Sequence, residues 1–82
     1  MKYETFEIEV DGQKIGVSND PRQTKNKGLY KQKLYECFLV KEEFYATSLC
    51  PKILLESEHG RKVMLLILQR EINNIKKKHE TT

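Results

Sequence analysis

Apolar and polar residues alternate strictly at the start of the chain. Residues 5–10 carry an apolar side chain at every second position: Phe6, Ile8 and Val10. This period of two is typical of a half-buried strand. Asp11-Gly12 follows at once, and this pair favours a two-residue type I′ turn, which needs positive φ at both central positions. The pattern predicts a β-hairpin whose return strand runs over residues 13–18.

Two further strands are predicted after a polar segment. Residues 19–29 have no apolar periodicity and contain Pro21 and Gly28 near their ends, which indicates a mobile surface loop. Residues 30–40 become apolar on both faces near their end, as in a strand that is covered on both sides. Residues 41–43 form a charged break, and residues 44–49 can pair back as a fourth strand before Pro51 ends it.

The last third of the chain has helical periodicity. One arc of about 100° contains the apolar residues of a helix over about 61–78: Met64, Leu65, Leu68, Ile72 and Ile75. A short helix over about 51–58 is expected before it, with Gly60 ending that short helix. Residues 79–82 have nothing to anchor them and are expected to fray.

These elements predict an α+β fold. An antiparallel sheet of three to four strands, beginning with a β-hairpin, is packed by a long C-terminal helix, and a short helix can precede that helix. A chain of 82 residues has room for one hydrophobic core. We therefore expect a single compact domain over residues 1–78 and a frayed tail over 79–82.

The N-terminus and the apolar runs exclude two classes of segment. Residues 1–11 alternate acidic and apolar side chains, unlike a secretory signal peptide. The longest apolar run, Val63 to Leu68, has six residues, whereas a membrane-spanning helix needs roughly 20. Two cysteines, Cys37 and Cys50, are too few for a disulfide framework. We expect a soluble protein of the cytoplasm with reduced thiols, and no interaction with a membrane.

The residue types needed for catalysis or metal binding are present, but their spacing is unsuitable. The candidate zinc ligands are Cys37, Cys50, His59 and His79, and none of them forms the close ligand pairs that build a tetrahedral site. The four glycines are scattered singly, so no phosphate-binding glycine motif is present. We therefore expect no enzyme activity, no metal, no cofactor and no small-molecule substrate.

The C-terminal helix has a second apolar side. Opposite the main stripe it carries Val63, Leu66 and Ile67, next to Arg70. The short preceding helix can cover these residues, or they remain exposed as a patch suited to a partner. Our leading interpretation is a small non-enzymatic interaction module that binds a protein partner, either another protein or a second copy of itself, through these four residues.

A basic segment supports an alternative hypothesis. Between residues 13 and 35 the chain has six basic residues against one acidic residue. The candidate nucleic-acid contacts are Lys14, Arg22, Lys25, Lys27, Tyr30, Lys31 and Lys33. Lysines can neutralise phosphates while a tyrosine stacks on a base. Nucleic-acid binding through the 22–33 loop therefore stands beside protein binding.

Overall fold

A computed structural model describes residues 3–25 and 33–80. It confirms the α+β fold, with four antiparallel strands and two helices. The elements in chain order are β1 (Thr5–Val10), β2 (Gln13–Ser18), β3 (Leu34–Lys41), β4 (Phe44–Pro51), α1 (Lys52–Leu55) and α2 (Glu58–Glu80). The predicted initial hairpin, fourth strand, short helix and long C-terminal helix are all present.

The strands form a meander in the order β1-β2-β3-β4, so that each one pairs with its neighbour in sequence. The β1–β2 turn has positive φ at Asp11 (50°) and Gly12 (80°), as the Asp-Gly pair predicts. The β3–β4 turn is equally tight, because Lys41 pairs with Phe44 across it. Its first residue, Glu42, also has positive φ, at 58°.

The hydrophobic core lies between one face of the sheet and α2. The sheet contributes the buried side chains of Val10, Ile15, Val17, Tyr35, Cys37, Leu39, Ala46 and Cys50. The helices contribute Leu55, Met64, Leu65, Leu68 and Ile72. Four of the five predicted stripe residues are therefore buried, and the fifth, Ile75, is half-buried. This packing fixes which side of α2 faces away from the sheet.

The boundary between the two helices differs from the expectation. Gly60 does not end the short helix but lies in the first turn of α2, which begins at Glu58. A Cβ atom at Gly60 would overlap the carbonyl oxygen of Leu54. Glycine is needed here because its missing side chain lets α1 approach α2. Two hydrogen bonds secure this junction, from Gly60 N to Ser57 Oγ (2.9 Å) and from Arg61 Nε to the Leu55 carbonyl (2.7 Å).

The C-terminal end of α2 continues through His79 and Glu80, two residues of the tail that was expected to fray. The His79 ring lies edge-on to the ring of Phe44, with 5.4 Å between the centroids. Residues 81–82 of that tail lie outside the described part of the chain. Neither helix within the described residues is long and apolar enough to cross a membrane.

Candidate interaction surfaces

The outward side of α2 carries exposed apolar side chains. Leu66 is 65% exposed and Ile67 is 40% exposed, while Val63 is half-buried. Leu66 lies about 160° around the helix from Leu68, which is fully buried, because residues advance about 100° each. The short helix α1 packs near Gly60, and the described residues leave Leu66 and Ile67 uncovered. The predicted second apolar side of the helix is therefore exposed.

Basic side chains border this surface along the helix axis. Lys62 and Arg70 lie one turn before and one turn after Leu66, and both residues are exposed. The Lys62 ammonium group is 3.9 Å from the carboxylate of Glu58, a separation at which an exposed ion pair contributes little. The surface formed by Val63, Leu66, Ile67 and Arg70, with Lys62 at its border, is hereafter the α2 outer surface. It has an apolar centre with basic residues one turn before and after Leu66, and the exposed acidic residue Glu71 lies one turn after Ile67.

The first described part of the basic loop is folded rather than open. Asp20 is buried and accepts hydrogen bonds from the backbone nitrogen of Arg22 (2.9 Å) and from its guanidinium group (2.8–3.2 Å). Hydrogen bonding to Arg22 lowers the pKa of Asp20, and the same contact raises the pKa of Arg22. The guanidinium charge is therefore matched by a carboxylate within the loop.

Two of the three remaining described cations of the predicted nucleic-acid site also lie beside an acidic or aromatic group. Lys14 is opposite Glu9 in the β1–β2 register. Lys25 places its ammonium group 5.8 Å from the centre of the Tyr45 ring, within the range of a cation–π contact. Lys33 is exposed, with a φ of 55°. Lys27, Tyr30 and Lys31 lie outside the described residues.

The face of the sheet opposite α2 has a shallow groove of about 460 Å³. Gly16 forms part of its floor, and the Phe38 and Tyr45 rings line one side, with 6.0 Å between their centroids. Glu7 lies on the opposite side of the groove. The described side chains that line this groove are mostly apolar, with one carboxylate, and the Lys25 ammonium group lies beside it over the Tyr45 ring.

A buried carboxylate fixes the loop to this same face. Glu36 lies on β3 and is only 1% exposed. Its Oε2 atom accepts a hydrogen bond from the backbone nitrogen of Lys25, at 2.8 Å. The bond holds residues 19–25 against the sheet. Sequence reasoning missed this role because Glu36 alternates with Tyr35 and Cys37 and reads as a solvent-facing position.

The outer edge of β4 is a second feature that the sequence patterns did not predict. Among the described residues no strand pairs with that edge, since β4 is the last strand of the sheet. Tyr45 and Leu49 are 46% and 44% exposed. The signal that could have found it is the complete lack of charged residues from Phe44 to Pro51.

The two cysteines are free thiols within the core. Burial raises the pKa of Cys37 to about 12, with a smaller contribution from the neighbouring Cys50 thiol. Burial also raises the pKa of Cys50. Because the thiolate is the nucleophilic form, neither side chain is prepared for nucleophilic catalysis. No group of three or more metal-ligating side chains occurs among residues 3–25 and 33–80.

Comparison of the chain with protein-family models, curated proteins and solved structures finds no match. Function is therefore inferred from the surfaces of the molecule alone.

Proposed function

We propose that this protein is a non-enzymatic interaction module that binds a protein partner through the α2 outer surface. The observation that carries the proposal is the exposure of Leu66 and Ile67 in the middle of a helix whose opposite side is fully packed. Exposed apolar side chains grouped on a rigid element favour binding, because their burial in a complex removes apolar area from water.

The charges around the apolar centre favour a partner with acidic side chains. Lys62 and Arg70 border Leu66 on both sides along the helix, so a partner with carboxylates at its rim gains complementary electrostatic contacts. A second copy of the chain fits this surface less well. A twofold axis near Leu66 brings like charges on the two helices close together.

The wild-type protein is first used to capture a partner. The test then compares how strongly three variants bind that partner. Leu66→Glu places a carboxylate in the apolar centre and is expected to weaken binding at least about 30-fold, which corresponds to about 2 kcal/mol at a binding hot spot. Arg70→Glu is expected to weaken it through charge repulsion. Val40→Glu is the matched control, because Val40 is an apolar residue of similar exposure (63%) that lies on β3, on the face of the sheet opposite α2.

The captured protein is then purified, and each variant is titrated against it by calorimetry. Circular dichroism confirms that the variants keep the fold. Retained binding by Val40→Glu together with loss in Leu66→Glu supports the α2 outer surface. Equal affinity of wild type and Leu66→Glu for the purified partner contradicts the proposal.

A further inference from the structure

The outer edge of β4 lacks the features that usually protect a sheet edge from pairing. Natural edge strands are kept apart by charged residues, bulges or short length. β4 runs for eight residues, from Phe44 to Pro51, and contains no charged side chain. It pairs with β3 in an unbroken register over its whole length. Only Pro51, at its last position, cannot donate a backbone hydrogen bond.

The opposite edge of the same sheet is protected. β1 is shorter, at six residues, and its outer face carries the exposed acidic residues Glu7 and Glu9. Two copies of β1 side by side would bring carboxylates together. The two edges therefore differ in charge and in length, and β4 is the edge that can accept another strand.

The side chains of β4 are complementary to a second, antiparallel copy of themselves. A twofold axis at Thr47 pairs Thr47 with its own counterpart. In this register the exposed Tyr45 of each copy lies opposite the exposed Leu49 of the other. Aromatic–aliphatic and Thr–Thr pairs are both favourable cross-strand combinations. With the axis at Ala46, Tyr45 would lie opposite Thr47. With the axis at Ser48, it would lie opposite Pro51, so neither register pairs Tyr45 with Leu49.

We propose that this chain forms a homodimer by antiparallel β4–β4 pairing centred on Thr47, giving one continuous eight-stranded sheet. The partner at this edge is a second copy of the chain. The interface is separate from the α2 outer surface around Leu66, and it does not depend on the function proposed for that surface.

The first test is covalent trapping of the full chain. Residues directly opposite each other in an antiparallel pair have the Cα separation that a disulfide requires. Thr47→Cys is expected to form a disulfide-linked dimer under a glutathione redox buffer, detected by non-reducing electrophoresis and reversed by reductant. Glu7→Cys, on the protected β1 edge, is the matched control and is expected to stay monomeric on the gel.

The second test reads the register from charge pairs. Tyr45→Lys with Leu49→Lys brings like charges opposite each other in both pairs, and light scattering is expected to report a monomer. Tyr45→Glu with Leu49→Lys creates two opposite-charge pairs only when residue 45 faces residue 49 of the other copy. Each new charge also has an opposite charge nearby within its own chain, because position 45 is near the Lys25 ammonium group and position 49 pairs with Glu36. This variant is expected to remain dimeric.

Three results would overturn the proposal. A wild-type chain that scatters light as a monomer at hundreds of micromolar excludes the dimer. If the two-lysine variant is still a dimer, the interface lies elsewhere on the molecule. If Leu66→Glu disrupts that dimer, the α2 outer surface is the site of self-association. Equal oxidation of Thr47→Cys and Glu7→Cys to disulfide-linked dimers shows random collision rather than strand pairing.

Discussion

The backbone nitrogen of Lys25 donates a hydrogen bond of 2.8 Å to the carboxylate of Glu36, a residue that is only 1% exposed. This bond is the connection between β3 and the loop that leaves β2. It brings Lys25 to the outer face of the sheet, where the lysine side chain reaches the Tyr45 ring. A buried acidic residue thus orders a segment whose composition is typical of a mobile loop.

Substitution of Glu36 tests this connection. Glu36→Gln keeps a carbonyl oxygen that can accept the hydrogen bond, so a small change in the free energy of unfolding is expected. Glu36→Leu removes the acceptor and leaves the Lys25 amide unpaired, which costs about 1–3 kcal/mol. Chemical denaturation measures both values, and hydrogen exchange of the Lys25 amide reports the loop directly. A Leu variant as stable as wild type with a protected Lys25 amide contradicts this role.

Gly60 gives an unusual prediction for a glycine inside a helix. At most helical positions Gly→Ala stabilises by up to about 1 kcal/mol. Here the added methyl group meets the Leu54 carbonyl, so Gly60→Ala is expected to destabilise the fold by about 1–3 kcal/mol, as overpacking does. Asn73→Ala, at an exposed position of the same helix, is the control and is expected to be neutral or stabilising. The thermal midpoints of the two variants should shift in opposite directions.

The β3–β4 turn contains a residue in the left-handed region, Glu42. A non-glycine residue there costs about 1–2 kcal/mol, and Glu42 also forms an exposed ion pair with Lys76 at 2.9 Å. Comparing Glu42→Gly with Glu42→Gln separates the two effects, because both variants lose the ion pair and only glycine relieves the backbone. We expect the glycine variant to be more stable than the glutamine variant by about 1 kcal/mol in urea denaturation. Equal stabilities would show that the turn is unstrained.

Alkaline pH is expected to destabilise the fold through two buried acids. Burial raises the pKa of Cys37 from 9.0 to about 12. Burial and the hydrogen bond to Glu4 raise the pKa of Tyr35 from 10.0 to about 12. Each group holds its proton more tightly in the folded chain, so the unfolded chain loses that proton first. The contribution of these two groups to the free energy of unfolding is therefore constant below about pH 9 and falls between pH 9 and 12.

Denaturation at several pH values measures this slope. Cys37→Ala and Tyr35→Phe each remove one of the two groups, and each is expected to make the fall between pH 9 and 12 shallower, whatever its effect at pH 7. One titrating group contributes up to about 1.4 kcal/mol per pH unit. A slope that neither substitution changes would assign the alkaline loss of stability to other groups.

Nucleic-acid binding through the basic loop remains a prediction with a direct measurement. Fluorescence anisotropy with labelled duplex and single-stranded DNA and RNA, at low and moderate salt, is compared for wild type and for Lys14→Glu with Lys25→Glu. Because three of the four described cations lie beside Glu9, Asp20 and Tyr45, we expect weak binding that differs little between the two proteins. Saturable, salt-sensitive binding that the double substitution abolishes would favour the nucleic-acid hypothesis instead.

Regular patterns in the sequence were enough to predict most of the fold. The Asp11-Gly12 turn and the buried stripe of α2 follow from local periodicity and turn chemistry, and both are confirmed. The prediction that Gly60 ends the short helix was wrong because a glycine can serve either a positive φ or the close approach of two backbones. Only the contact with Leu54 in the structure distinguishes these two roles. Glu36 could not be recognised because the burial of its carboxylate depends on a loop residue, Lys25, that lies eleven positions earlier in the sequence.

The candidate surfaces were predicted less completely. Leu66 and Ile67 stand out because they interrupt the polar side of an amphipathic helix, so periodicity alone identifies them. Whether they are covered depends on where α1 docks, which is a tertiary property. Side-chain types alone do not show that β4 lies at the edge of the sheet, because the strand order decides which strand is at the edge.

The meander order of the sheet has a consequence for how quickly the chain reaches its native state. Each strand pairs with the next along the chain, and two of the three pairings close over two-residue turns. Such local contacts need little loop-closure entropy, and proteins rich in them fold fast. The slow steps should be the closure of residues 19–33 between β2 and β3 and the docking of α2. Until α2 docks, the apolar face of the sheet is open to water.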